Sequence, residues 1–125
     1  MSEIIYKELS YKLIGLAYQI QNKLGYGMKE ATYKNAFEEL LKQENIEYKR
    51  EFYYPVKINN KLIAKKYFDF IIDEKIILEF KIGSDRYLDC YRQLLDYLKS
   101  SQYKLGIIIR LTKDGIKVKR IPNIY

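Results

Sequence analysis

The spacing of apolar residues changes near the middle of this chain, and that change limits the folds open to it. The first part has apolar residues at helical spacing, at Ile5, Leu9, Leu13, Leu16, Ile20 and Leu24. This pattern predicts an amphipathic helix over 3–24, which Gly25-Tyr26-Gly27 ends. A second helix is predicted over about 29–43. From residue 46 onwards apolar and polar residues alternate, as they do in strands.

The alternating part predicts three strands joined by tight turns. Asn59-Asn60 separates a strand over 46–58 from a second over 62–72, because Asn tolerates the positive φ that a hairpin turn requires. Asp73-Glu74 then leads into a third strand over 75–81.

One more helix and two more strands complete the chain. Gly83-Ser84 opens the helix, with Ser84 as its predicted N-cap and Asp85 in its first turn. A buried strand over 105–111 follows, and Asp114-Gly115 turns it into a last strand over 116–121. The order ααβββαββ predicts an α/β (α+β) fold in which helices flank a mixed central sheet.

Composition limits the chemistry that this fold can carry. At 125 residues the chain fits one domain over 1–125, and no apolar run approaches the roughly 20 residues that span a bilayer. The N-terminal residues mix charged and apolar side chains, unlike a signal peptide, so we expect a cytoplasmic protein. One cysteine, Cys90, and no histidine exclude an internal disulfide and a Cys-rich zinc site. Any chemistry that this protein performs must therefore use carboxylates, lysines, tyrosines and hard metal ions.

The charge balance points to a polyanionic partner. A net charge of +7 and a pI near 9.3 suit nucleic acid, since Lys and Arg neutralise phosphates and release counterions. The alternative is compositional bias, in which lysines only solvate the surface. Charge alone does not separate the two.

Asp69, Glu79 and Lys81 are the candidate catalytic residues. Glu79 and Lys81 are two apart on one predicted strand, so they project from one face with Cα atoms roughly 6–7 Å apart. If this strand pairs with its predecessor through the turn at 73–74, Asp69 comes near them. Two carboxylates at a strand centre repel unless a positive charge joins them, and Mg²⁺ would supply it. The alternative is that Glu79 and Lys81 point outward on an edge strand while Asp69 pairs with a lysine.

Polar residues on two helices favour the metal site. Glu30 falls at the same angular position as the predicted core positions Tyr33 and Phe37, so it is predicted to point inward. Gln93 and Tyr97 are four apart and share a face of the later helix. Polar groups that point toward a core need partners, which a metal site at the sheet would provide.

The segment Gly27-Met28-Lys29-Glu30-Ala31-Thr32-Tyr33 reproduces the signature of the GxxExxY protein family. The chain also resembles that family in the segments FYYPVKI, KKYFDFII, IILEFK, Gln93-xxx-Tyr97 and KLGIIIR. These proteins are similar to the PD-(D/E)XK nuclease superfamily, whose restriction-endonuclease-like core is an αβββαβ unit. The present order adds an N-terminal helix. Phe68 stands where the superfamily motif has Pro.

The resemblance implies phosphodiester hydrolysis that depends on Mg²⁺ or Mn²⁺. It makes Asp69 and Glu79 metal ligands, with the Phe80 carbonyl as a third, and Lys81 the catalytic lysine. Glu30 matches a helix carboxylate that contributes to the metal directly or through water. In the same way, Gln93 and Tyr97 match a supporting Gln-xxx-Tyr motif.

Three functional classes remain open. The first is a nuclease that cuts DNA, and the second is a catalytically silent module that binds nucleic acid or protein on the same fold. A structural subunit is the third. A homodimer is plausible for the nuclease, because one site cannot easily cut both strands. The first helix could form its contact, but it is better used to cover its own sheet.

Overall fold

A computed structural model describes residues 4–84 and 86–124. The elements, in chain order, are α1 (Lys7–Leu24), α2 (Glu30–Gln43), β1 (Tyr48–Ile58), β2 (Lys61–Ile72), β3 (Ile76–Ile82), α3 (Tyr87–Ser100), β4 (Leu105–Thr112) and β5 (Gly115–Pro122). This is the predicted order. The helix start expected at residue 3 is wrong: α1 begins at Lys7, because Tyr6 has φ 49° and cannot continue a right-handed helix. The first-turn position of Asp85 lies outside the described residues.

The five strands form one mixed sheet in the order β1-β2-β3-β4-β5. Only β3 and β4 are parallel, and α3 makes the crossover between them. The other neighbours are antiparallel. The predicted α/β fold with a mixed central sheet is therefore confirmed.

Two tight turns fix the register of the first three strands. Asn59 and Asn60 have φ values of 50° and 64°, and Asp73 and Glu74 both have 52°. Consecutive left-handed residues match the twist of antiparallel strands. The second turn places Ile72 opposite Ile76, which brings Asp69 to the level of Glu79.

Helices cover both faces of the sheet. The buried residues of α1 and α2 pack with Phe70, Leu78 and Phe80, so α1 covers its own sheet as expected. On the opposite face α3 packs with Ile77 and Ile108. None of the described helices combines the length and apolar character needed to cross a membrane.

The predicted N-cap at Ser84 is wrong. The residue before the first helical turn of α3 is Arg86, which has φ 56° and makes no side-chain capping bond. Ser84 instead accepts a hydrogen bond at its backbone carbonyl from the Tyr87 N–H, at 3.2 Å. The left-handed Arg86 closes this turn, which leaves Ser84 too far from the helix start to cap it.

Candidate active site

The alternation of β2 breaks at Asp69. Phe68 packs under α3, whereas Phe70, two residues later, packs under α1 and α2. In a regular strand these residues would share a face. Glu51 on β1 is missing from the pairing with β2 between Arg50 and Phe52, and its φ is 56°. Both strands are thus irregular at the level of Asp69.

Asp69 lies where β2 and β3 separate. The backbone pairing of the two strands ends at Phe70 and Leu78. One position further, a side-chain hydrogen bond replaces the backbone pairing. Asp69 Oδ2 accepts it from the Phe80 N–H at 2.8 Å. This bond fixes the side chain between the strands and leaves the second oxygen for another partner.

Glu79 and Lys81 lie beside Asp69 on the central strand β3. Together with Asp69 they line one cavity of about 220 Å³ on the α3 side of the sheet. Glu79 is only 6% exposed and Asp69 8%, whereas Lys81 is half-buried. The alternative that Glu79 points outward on an edge strand is wrong, since β3 has neighbours on both sides.

The two buried carboxylates interact unfavourably when both are charged. Burial, followed by the hydrogen-bonding contact and the charge of Asp69, raises the pKa of Glu79 well above the usual range of a glutamate. Lys81 acts in the opposite direction but does not cancel these effects. A cation placed between the carboxylates would relieve the repulsion.

Lys34 of α2 approaches Asp69 from the other face. Its ammonium lies 3.0 Å from Asp69 Oδ1 and 3.7 Å from both Glu30 Oε2 and Glu51 Oε1. Burial lowers the pKa of Lys34, but Asp69 and then Glu30 and Glu51 outweigh it, so the net shift is upward. The part of the alternative in which Asp69 pairs with a lysine is therefore correct. The i,i+4 spacing from Glu30 was the sequence signal for Lys34.

Glu30 reaches this cluster only through Lys34. Its side chain is 36% exposed, and it is not among the residues that line the carboxylate cavity. The expected inward direction is therefore only partly met, because Glu30 stands at the first residue of α2, where the helix meets its connecting loop.

Tyr33, the last residue of the GxxExxY signature, holds the loop between α1 and α2. Its hydroxyl donates to the Gly25 carbonyl at 2.6 Å and accepts from the Met28 N–H at 3.1 Å. Gly27 has φ 114°, which a residue with a Cβ adopts only with strain. The signature thus fixes the start of α2, from which Lys34 extends.

Of the two supporting residues, only Gln93 lines the carboxylate cavity. Tyr97 packs its ring against Tyr54 and Phe68, with both centroid distances 4.9 Å. Tyr97 therefore borders the aromatic part of the core on this face, one helical turn from Gln93.

Four lining residues were missed from the sequence: Tyr67, Arg86, Asp89 and Cys90. Cys90 precedes Gln93 by three, which places both on one helix face, and Tyr67 precedes Asp69 by two. Burial and the Glu79 charge raise the pKa of Cys90 to about 12. The thiol is therefore protonated at neutral pH, which argues against a nucleophilic role.

The site fits a hard cation that keeps part of its water shell. Within residues 4–84 and 86–124, no three His, Cys, Asp or Glu side chains group as they would around a bound ion. The Asp69–Glu79 pair has the charge and the oxygen donors that Mg²⁺ prefers, and Mg²⁺ needs only one or two protein carboxylates.

Comparisons with known proteins found a family model and a similar solved structure. The family model described as PD-(D/E)XK nuclease superfamily matches residues 7–121. The crystal structure of SSO0001 is similar at 21% identity, with a TM-score of 0.50 over 95% of this chain. The match covers 61% of SSO0001, so the chain spans about three fifths of that protein. This likeness concerns the fold alone. No curated protein matches the sequence.

Proposed function

Because the chain belongs to the PD-(D/E)XK nuclease superfamily, we propose that it is a metal-dependent nuclease that hydrolyses phosphodiester bonds of DNA. The observation that carries the proposal is the burial of Asp69 and Glu79 beside Lys81 in one open cavity. Within the superfamily we assign the chain to the GxxExxY proteins, on the signature from Gly27 to Tyr33.

In this proposal Asp69 and Glu79 hold Mg²⁺ or Mn²⁺, with the Phe80 carbonyl as a third ligand and Glu30 as an outer carboxylate. When bound, such an ion polarises a phosphoryl oxygen and lowers the pKa of its water. Asp69 is already oriented by the Phe80 N–H, so the chain sets one ligand in place before the ion arrives.

The cationic side chains of the cavity bind the substrate in this proposal. Lys81 and Arg86 line the same cavity as the carboxylates, and both can contact phosphate oxygens. Lys81 balances the charge that develops on the phosphoryl group and orients the attacking water. Gln93 is a hydrogen-bonding support at the cavity wall.

A cleavage assay tests this proposal. Linear, circular, single-stranded and branched DNA would be incubated with and without Mn²⁺, using the wild type, Lys81→Ala and Lys117→Ala. Lys117 is an exposed lysine of β5 that does not line the cavity. We expect Mn²⁺-dependent products from the wild type and Lys117→Ala, and at least about a hundredfold loss in Lys81→Ala. Equal activity in Lys81→Ala would refute the assigned site.

The second candidate is a binding module that cuts nothing. One observation favours it, because Lys34 already pairs with Asp69 at 3.0 Å and so neutralises one of the two carboxylates without a metal. In that case the protein binds DNA, Mn²⁺ does not change the binding, and none of the four substrates yields product. Metal-dependent cleavage excludes this alternative.

A further inference from the structure

The hairpin of β1 and β2 extends beyond the rest of the sheet. The two strands pair with each other as far as Ile58 and Lys61, whereas the pairing of β2 with β3 ends at Phe70 and Leu78. Residues 52–68 therefore form a two-stranded segment, which we call the arm. From residue 55 to residue 67 every side chain except that of Ala64 is exposed, so the outer part of the arm is open to a partner.

The arm carries charge of one sign only. It contains four lysines and no acidic residue. The four are Lys57, Lys61, Lys65 and Lys66. None of them forms an ion pair with another residue in the described part of the chain, whereas Lys12, Lys42 and Lys49 each pair with a glutamate. The arm therefore complements a polyanion, because lysines without acidic partners can neutralise phosphates.

One face of the arm leads to the carboxylate cavity. Tyr67 lines that cavity and lies beside Tyr53, with ring centroids 5.3 Å apart. Lys65 precedes Tyr67 by two residues and Lys57 follows Tyr53 by four, so both lysines lie on the face of the two rings. The register shift beyond Val56 adds a residue to β2 and not to β1, so it leaves Lys57 on this face.

The spacing of these lysines suits a phosphate backbone. A strand advances about 3.3 Å per residue, which puts the Cα of Lys65 roughly 7 Å from that of Tyr67 and the Cα of Lys57 roughly 13 Å from that of Tyr53. A DNA strand advances about 3.4 Å per nucleotide along the helix axis. The two lysines therefore match phosphates that lie roughly two and four nucleotides from a phosphate in the cavity.

We propose that the arm is a DNA-binding element that holds the phosphate backbone beside the carboxylate cavity, with Lys57 and Lys65 each contacting one phosphate. The inference rests on the proposed function in one respect, that the scissile phosphate of the same DNA lies in the cavity. A two-stranded ribbon is also narrow enough to enter the major groove of a duplex. The alternative is that the lysines only keep exposed strand edges from pairing with another chain.

The salt dependence of DNA binding tests the arm without cleavage. Binding of a twenty-base-pair duplex would be measured with EDTA over a series of KCl concentrations. The slope of log K against log salt loses about 0.9 for each phosphate contact removed. Lys57→Gln and Lys65→Gln should each lower its magnitude by about 0.9, and the double variant by about 1.8. The control Lys7→Gln/Lys23→Gln removes the same charge from exposed positions of α1 and should retain the wild-type slope.

Three results would overturn the arm as a DNA contact. The first is a wild type that does not bind the duplex, and the second is an equal slope in the wild type and Lys57→Gln/Lys65→Gln. The third is an equal fall in the α1 control, which would indicate an effect of net charge. A fall confined to an RNA duplex of the same sequence would assign the arm to RNA and overturn the inference as well. Lys57→Arg/Lys65→Arg keeps both charges and should keep the slope.

Apolar residues at the tip of the arm make a second copy of the chain the alternative occupant. Ile58 and Ile63 are 61% and 57% exposed. A dimer in size-exclusion chromatography that is lost in Ile58→Ser, with unchanged salt slopes in the lysine variants, would assign the arm to that contact and overturn the inference. Mn²⁺-dependent cleavage with unchanged slopes would refute the arm alone. The expected slopes without cleavage of any DNA would refute the proposed nuclease function alone.

Discussion

Asp69 is the residue on which the site depends, because its two oxygens serve different elements. Oδ2 binds the backbone of β3 at Phe80, and Oδ1 binds Lys34 of α2. The carboxylate also lies against Glu79, whose pKa it helps to raise. A change at Lys34 or Glu79 should therefore alter stability in a measurable direction.

Replacing Lys34 should destabilise the metal-free protein. Lys34 and Asp69 have side-chain exposures of 13% and 11%, and removing one partner of such a buried pair costs about 3–5 kcal/mol. Lys34→Met should lower the free energy of unfolding in urea by about this amount. The control is Lys42→Met, whose exposed pair with Glu39 is worth at most about 0.5 kcal/mol. Equal losses in the two variants would contradict the role given to Lys34.

The raised pKa of Glu79 should make metal-free stability fall as pH rises. The folded protein holds a proton on Glu79 at pH values where the unfolded chain has released it, so this contribution is lost between the ordinary glutamate value and the raised one. Glu79→Gln should have a flatter profile and greater stability at neutral pH, with slopes differing by up to about 1.4 kcal/mol per pH unit. The measurement is urea unfolding with EDTA from pH 4 to 8. Equal slopes of stability against pH in the wild type and Glu79→Gln would contradict the raised pKa of Glu79.

At the scale of elements, the site exists because neighbouring strands separate while a helix stays close. The pairing of β2 with β3 ends at Phe70 and Leu78, which opens the sheet at Asp69. On the α3 face, a Cβ at Gly106 of β4 would lie 2.9 Å from Leu94 Cδ2. Such close packing sets the distance of Gln93 and Cys90 from β3.

A methyl group at Gly106 should therefore disturb the site from a distance. It would also meet Leu94 Cγ at 3.1 Å and Leu98 Cδ1 at 3.2 Å, so α3 must shift. Gly106→Ala should lower the free energy of unfolding by about 1–3 kcal/mol and reduce cleavage. The control is Gly15→Ala in α1, which has open space around it and should gain up to about 1 kcal/mol. Unchanged stability in Gly106→Ala would contradict the close packing of α3 against β4 at Gly106.

Some elements of the fold could be read directly from the sequence. Asn59, Asn60 and Asp73 take positive φ values that Asn and Asp tolerate, so the positions of the two turns were predictable. The exact neighbour of Asp69 depended on the register between β2 and β3, which the structure gives. Glu79 and Lys81 share a face because a strand repeats every two residues. Local rules were sufficient here.

Other features depend on contacts between distant residues and could not be predicted in this way. The break at Asp69 arises opposite the left-handed Glu51, 18 positions earlier in the chain. Lys34 is bound by carboxylates from α2, β1 and β2, and Tyr54 loses water only when α3 packs on β1. The helical pattern placed Glu30 inward but could not show that Lys34 lies between it and Asp69.

At the scale of the whole molecule, carboxylates, cations and aromatic rings meet at one side of the sheet. Lys81 and Arg86 line the carboxylate cavity, and Tyr54 and Tyr97 line a neighbouring cavity between β1 and α3. A net charge of +7 favours association with a polyanion. Under the proposed function, this side of the sheet is the one that a nucleic-acid strand would contact.

The central claim is that Asp69 and Glu79 bind a divalent cation, and a metal titration of thermal stability tests it most directly. The wild type, Asp69→Asn and Asp114→Asn would be melted over increasing Mg²⁺ or Mn²⁺. A ligand at a hundred times its Kd stabilises by about 2.7 kcal/mol, which raises the melting temperature of a domain of this size by about 10 °C. We expect this rise in the wild type and in Asp114→Asn, where an exposed turn residue is changed, and none in Asp69→Asn. Equal rises in all three proteins, or no rise in the wild type, would contradict the metal site.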